Sequence, residues 1–147
     1  MNTWKKVLAI AAVVFTVGTA SAKDELIAFS QLPKKAQTFV RAHFSEKDVS
    51  ASLLEKEGLG RKEYTVVLNN GTKIEFDGKG KWEKVEVKTG GVPEKIVPTA
   101  ILQHVRKNFP NTQVEEVKRS RKGYEVEISN GLELEFNKKG KFLRIDP

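Results

Sequence analysis

The sequence predicts an α+β fold: two tandem repeats, each a helix plus four antiparallel strands, forming one eight-stranded concave sheet with both helices on one face. Three observations predict it. Leu32-Pro33, a helical run to Phe44 and then Val49 recur 65 residues later as Val97-Pro98, a run to Phe109 and then Val114. Tyr64, Asn70-Gly71, Phe76 and Gly80 recur 60 residues later as Tyr124, Asn130-Gly131, Phe136 and Gly140. Between these markers apolar and polar residues alternate at period two, the pattern of half-buried antiparallel strands.

The first element in the chain precedes the fold. Lys5-Lys6 form a basic start, Val7 to Val17 is an apolar run, and Ala20-Ser21-Ala22 is a small-x-small cleavage site, so residues 1–22 read as a signal peptide. The apolar run is too short to span a bilayer comfortably. A periplasmic or secreted chain with no stable membrane anchor after cleavage is therefore expected. The remainder divides into a first repeat, 23–88, and a second, 89–147, packed as one domain. With no cysteine in the chain, disulfides, thiol nucleophiles and Cys-based zinc sites are excluded. The formal charge of +7 falls to about +5 without Lys5 and Lys6, and it is spread as lysine–glutamate mixtures. A nucleic-acid face needs clustered cations with stacking aromatics, so nucleic acid is not an expected partner.

The first helix is predicted over residues 33–45, because Leu32, Ala36, Phe39, Val40 and Phe44 make one apolar stripe while Lys34, Lys35, Gln37 and Arg41 take the other side. Proline suits the opening turn, where its missing N–H has no helical partner to lose. Val97, Ile101, Val105 and Phe109 repeat the stripe, and Pro110 blocks continuation. Helices this short do not persist alone in water, so both must lie on the sheet. His104 takes the place of Phe39 and is expected partly buried.

The strands are predicted at residues 49–56 and 113–119, then in a hairpin, then at 81–87 and 141–145, with 89–93 as the linker between repeats. Asn-Gly commonly closes a two-residue hairpin, but that loop would pair Ile128 with Glu133. Three-residue loops, Asn69-Asn70-Gly71 and Ser129-Asn130-Gly131, pair Tyr64 with Phe76 and Tyr124 with Phe136. Each then needs a type I turn with its glycine in the left-handed region. The first copy is five residues longer between its first two strands, around Glu57 to Gly60.

Continuing that alternation through a four-residue turn pairs Leu134 with Leu143 and Leu132 with Ile145. It sends Phe142 and Arg144 to the helix-free face, with Trp82 and Lys84 beside Glu75, Lys73 and Val67. Trp82, Phe142, Val67, Lys73, Glu75, Lys84 and Arg144 are thus the expected binding surface. The alternative is that a bulge turns both aromatics inward, or that residues 26–29 cover them. Glu125, Glu127, Glu133 and Glu135 form a second candidate. They form a solvated ladder neutralised by Lys118, Lys141 and Arg144, or they hold a cation or a basic partner segment. Calcium needs six to eight converging oxygens, which flat strands seldom supply. No cofactor is expected, with calcium the alternative that these carboxylates leave open.

No Ser-His-Asp arrangement, phosphate-cradling glycine loop or metal-ligand spacing occurs, and His43 and His104 are not matched by the repeat. The reading is a non-catalytic module. Its twice-repeated Pro, Phe, Tyr, Asn-Gly, Phe and Gly-Lys-aromatic order resembles the PepSY-like, beta-lactamase-inhibitor-like family of small periplasmic proteins. Pro33, Phe44, Tyr64, Gly71, Phe76 and Gly80 carry the resemblance, and again Pro98, Phe109, Tyr124, Gly131, Phe136 and Gly140. The resemblance implies a fold like beta-lactamase inhibitor protein and a binding or peptidase-inhibiting role without catalytic residues. The expected partner is an envelope or secreted protein or peptide, and the chain is expected to be a monomer.

Overall fold

The computed structural model describes residues 24–146; the signal peptide read at 1–22 lies outside them. The elements in order are β1 (Asp24–Ile27), α1 (Lys34–His43), β2 (Val49–Lys56), β3 (Lys62–Leu68), β4 (Lys73–Asp77), β5 (Trp82–Glu86), α2 (Thr99–Asn108), β6 (Val114–Ser120), β7 (Gly123–Ile128), β8 (Glu133–Asn137) and β9 (Phe142–Asp146). All nine strands form one sheet in chain order, with β1 and β9 as its edges. The sequence predicts eight. The ninth is β1, which pairs antiparallel with β2, Leu26 opposite Leu53. A strand of four residues is too short for its alternation to be read.

Both helices begin one residue later than predicted, because Pro33 and Pro98 are the caps rather than the first helical residues. The Pro33 carbonyl accepts hydrogen bonds from the Ala36 and Gln37 N–H groups at 2.9 and 3.1 Å, and Pro98 does the same for Ile101 and Leu102 at 3.0 and 3.1 Å. Each helix ends where Phe44 or Phe109 leaves helical geometry, its N–H still bonded to the carbonyl of Val40 or Val105 at 2.8 Å.

The helices pack on one face of the sheet. Val66, Ile74, Val85, Val117, Val126 and Leu134 are consecutive cross-strand partners through the middle of that face. All six are fully buried, together with Ala36, Val40, Ile101 and Val105 from the helices. Each buried valine, leucine or isoleucine contributes about 1.5–3 kcal/mol of hydrophobic stabilisation. This row runs unbroken from β3 to β8, so the core is continuous across the middle of the chain.

The hairpin loops hold three residues, as the alternation requires. Tyr64 pairs with Phe76 and Tyr124 with Phe136. Gly71 and Gly131 have φ of 86° and 89°, a region open to glycine at little cost. The next turns differ from expectation by one residue. Phe76 pairs with Trp82 but Glu75 pairs with Lys84, leaving Glu83 as the extra residue of a bulge. Phe136 pairs with Phe142 and Glu135 with Arg144, with Leu143 extra. Leu134 therefore faces Ile145, not Leu143. Such bulges reverse the parity of the strand beyond them and add local twist.

Candidate functional site

Alternation sends every second side chain to the face away from the helices, and the strand registers align these side chains into rows. One row crosses all nine strands: Leu26, Leu53, Thr65, Glu75, Lys84, Lys118, Glu125, Glu135 and Arg144. A parallel row runs Ala51, Val67, Lys73, Glu86, Glu116, Glu127, Glu133 and Asp146. Both rows begin apolar and pass through lysines in the middle strands; the second is acidic from β5 to β9, and the first is acidic on β7 and β8 and ends in Arg144. A third, short row of Asp24, Glu55, Glu63 and Asp77 spans β1 to β4.

Of the residues expected on this face, Val67, Lys73, Glu75, Lys84 and Arg144 lie in the rows, as do Glu125, Glu127, Glu133 and Glu135. Trp82 and Phe142 do not. The bulges at Glu83 and Leu143 turn both rings to the helix side. There Trp82 lies 5.9 Å from the Phe39 ring, and Phe142 stacks on His104 with centroids 4.3 Å apart. His104 also meets Phe136 edge-on at 5.5 Å, as Phe39 meets Phe76 at 5.7 Å. The exposed-aromatic surface expected from strict alternation is therefore a charged surface instead.

Electrostatics on this face are strained. Glu125 faces Glu135 and Glu127 faces Glu133, as the loop length predicts. Glu86 also faces Glu116, which faces Glu127 in turn. Like charges directly opposite on a sheet are destabilising. Lys84 Nζ lies 3.5 Å from Glu116 Oε2 with both side chains nearly buried, and Arg144 lies 2.5 Å from Glu135 at the rim. Even so, one carboxylate oxygen on each of Glu75, Glu86 and Glu127 is buried without a hydrogen-bond donor among the described residues.

Burial pushes the Glu116 carboxyl up to about 7, with Lys84 opposing and Glu86 and Glu127 adding to the rise. Glu127 is pushed up to about 7 by burial and then by Glu115, Glu133 and Glu86. Glu55 is raised to about 7 by burial and by Asp24, Glu75 and Glu63. Glu133 is raised for the same kinds of reason, burial first and then Glu125. No three His, Cys, Asp or Glu side chains converge as a metal-ligand set among the described residues. Sequence reasoning missed Glu86, Glu116 and Asp146, which complete the acidic row. The register of β5 on β6 was the missing signal, since the 89–93 linker and α2 intervene.

Residues 62–144 match the profile of the family described as beta-lactamase-inhibitor-like, PepSY-like. The chain belongs to the PepSY-like family. The chain is also similar to periplasmic proteins of known structure. One is a periplasmic protein of the DUF2874 family from Bacteroides vulgatus, 37% identical, with a TM-score of 0.80 over 87% of this chain and 100% of that one. Another, from Bacteroides thetaiotaomicron, is provisionally described as a calcium-regulated periplasmic protein; it is 41% identical, with a TM-score of 0.80 over 84% and 97%. A third, a periplasmic protein of unknown function from Bacteroides vulgatus, is 32% identical, with a TM-score of 0.79 over 84% and 99%. Among curated proteins, nothing matches the sequence. None of these descriptions names a catalytic activity, and no described helix is long and apolar enough to cross a membrane.

Proposed function

We propose that this PepSY-like chain is an exported, non-catalytic binding module that docks a protein or peptide on the helix-free face of its sheet. On this reading residues 1–22 are a cleaved signal peptide, and 23–88 and 89–147 are copies of one unit. The sheet is concave as in beta-lactamase inhibitor protein, and the chain acts as a monomer on a peptidase or another exported protein. The observation that carries the proposal is the set of buried carboxylate oxygens without donors, among the described residues, on Glu75, Glu86 and Glu127. A buried acceptor left unpaired costs about 1–3 kcal/mol, which a partner's lysine or arginine side chains relieve. Charge, not Trp82 and Phe142, is then the anchor. A lysine-rich peptide should bind the wild type and lose about tenfold in affinity with Glu127→Gln and Glu133→Gln together. Equal binding by that variant would sink the proposal.

The second reading is a periplasmic cation sensor, with calcium held by Glu125, Glu127, Glu133 and Glu135. The Bacteroides thetaiotaomicron relative provisionally described as calcium-regulated favours it. Calcium takes six to eight oxygens, so these side chains would have to rotate toward one another around the ion. Calorimetry with calcium chloride decides this: an absence of heat at millimolar concentration ends the cation reading and leaves peptide docking standing.

A further inference from the structure

The strands β5 and β6 pair at three positions only, Lys84 with Lys118, Val85 with Val117 and Glu86 with Glu116. Past Lys84 the bulge at Glu83 carries β5 away, while β6 continues along β7 through Arg119 opposite Tyr124 and Ser120 opposite Gly123. The two strand ends therefore splay, and a cleft of about 490 Å³ opens between them. That is a size that holds a small ligand or a short peptide segment.

The cleft is built around a fixed arginine. Arg119 donates from Nε to the Trp82 carbonyl at 3.0 Å, and its guanidinium lies 4.3 Å over the Trp82 ring. Trp82 is held from its other neighbour by Phe39. Among the described residues these contacts leave the two terminal amino groups of Arg119 without a hydrogen-bond partner, and a guanidinium fork of this kind matches a carboxylate. Arg121, Lys81 and Lys138 line the same cleft. None of these four cations lies within ion-pair distance of a carboxylate among the described residues. Two acids also line it. The Asp77 Oδ1 is taken up by the N–H groups of Lys79 and Lys81, both at 2.9 Å, and the Glu83 carboxyl is raised by burial and then by Asp77 and Glu75, against Arg61 and Lys118. The N-terminal half has no counterpart: Leu54, opposite Tyr64, stands where Arg119 stands opposite Tyr124.

We propose that this cleft is a second binding site, which takes a carboxylate of an acidic peptide on Arg119, with Arg121, Lys81 and Lys138 around it. A peptide fits better than a compact anion because the cleft runs along the ends of two strands whose pairing stops at Lys84 and Lys118, which gives an extended segment room to lie between them.

Trp82 reports the site directly. The chain has two tryptophans, Trp4 and Trp82, so a full chain carrying Trp4→Phe emits from Trp82 alone. Titration with a glutamate-rich hexapeptide amidated at its C-terminus should give a saturable change in that emission. A matched peptide with glutamines and a free C-terminus tests whether a terminal carboxylate serves instead of a side chain. Arg119→Gln should weaken the binding about tenfold or more, and Arg121→Gln with Lys138→Gln, both at exposed positions, should weaken it several-fold with the circular dichroism unchanged. If Arg119→Gln does not fold, the exposed pair decides. No saturable change with either peptide overturns the proposal, and so does equal binding of a fully amidated, carboxylate-free control. Unchanged binding by the exposed pair and by a folded Arg119→Gln also overturns it.

Discussion

On the helix-covered face, Tyr64, Phe76 and Trp82 line up in the N-terminal half as Tyr124, Phe136 and Phe142 do in the C-terminal half. On the other face the halves part company. Ala51, Leu53, Thr65 and Val67 hold the places that Glu116, Lys118, Glu125 and Glu127 hold in the second half. The shared face is constrained by close packing, where a change of one methylene is felt. The other face is buried too at Leu53, Thr65, Lys73 and Lys84, yet on it the second half sets carboxylates opposite one another, Glu116 with Glu127 and Glu125 with Glu135, at a cost to folding. A departure that the fold does not require, and that works against stability, is where binding is most reasonably sought.

The equivalence of the two interiors can be broken most sharply at their largest buried side chains. Phe76→Ala and Phe136→Ala should each cost about 3–5 kcal/mol in urea unfolding, since both rings are essentially inaccessible and each meets its helix's aromatic edge-on. Losses differing by more than about 2 kcal/mol would end the claim that the halves pack alike. Gly123 is the next test, because here the halves differ. Its φ is 142°, and an added Cβ would lie 2.1 Å from the Phe136 carbonyl oxygen, so Gly123→Ala should cost about 2–4 kcal/mol. Glu63, at the corresponding place in the first half, should tolerate alanine within about 0.5 kcal/mol.

The charged face makes a prediction in pH. Glu55, Glu116 and Glu127 have carboxyls near 7 in the folded chain, above their unfolded values. The folded state therefore holds more protons than the unfolded one between about 4.5 and 7, and stability should fall as pH rises through that window. Glu127→Gln should recover about 1 kcal/mol at pH 8 and nothing at pH 4.5, read as melting temperature against pH. A flat profile in the wild type would remove the strain argued for this face. The smallest effect belongs to His104, whose ring burial holds its pKa below the ordinary value, with Lys107 adding to the depression. Its contribution is lost as pH falls through about 6.5. His104→Phe, which copies Phe39, should stabilise by about 0.5–1 kcal/mol, more at pH 5 than at pH 8.

Most of the fold is legible in the sequence where local chemistry fixes it. The alternation on either side of Asn70-Gly71 and Asn130-Gly131 sets the loop length, loop length sets the register, and the register puts Glu125 opposite Glu135 and Glu127 opposite Glu133. The faces of Trp82 and Phe142 are not legible by alternation, because one extra residue at Glu83 or Leu143 reverses parity and leaves no mark in the hydropathy pattern. The acidic row through Glu86 and Glu116 depends on a strand pairing made across α2, which no turn motif specifies. The Arg119 cleft arises from that same pairing ending after three positions.

The central question for this face is whether the carboxylates of β6 to β8 receive a cationic guest. Calorimetric titration of the full chain with a lysine-rich peptide at pH 7, in two buffers of different ionisation enthalpy, measures this directly through the protons released. A guest that pairs with Glu116 and Glu127 draws their pKa values down, so binding should release protons and tighten as pH rises from about 6 to 8. Glu116→Gln with Glu127→Gln should lose both the release and most of the affinity. Binding without proton release, or release that persists in the double variant, would contradict the assignment of this face.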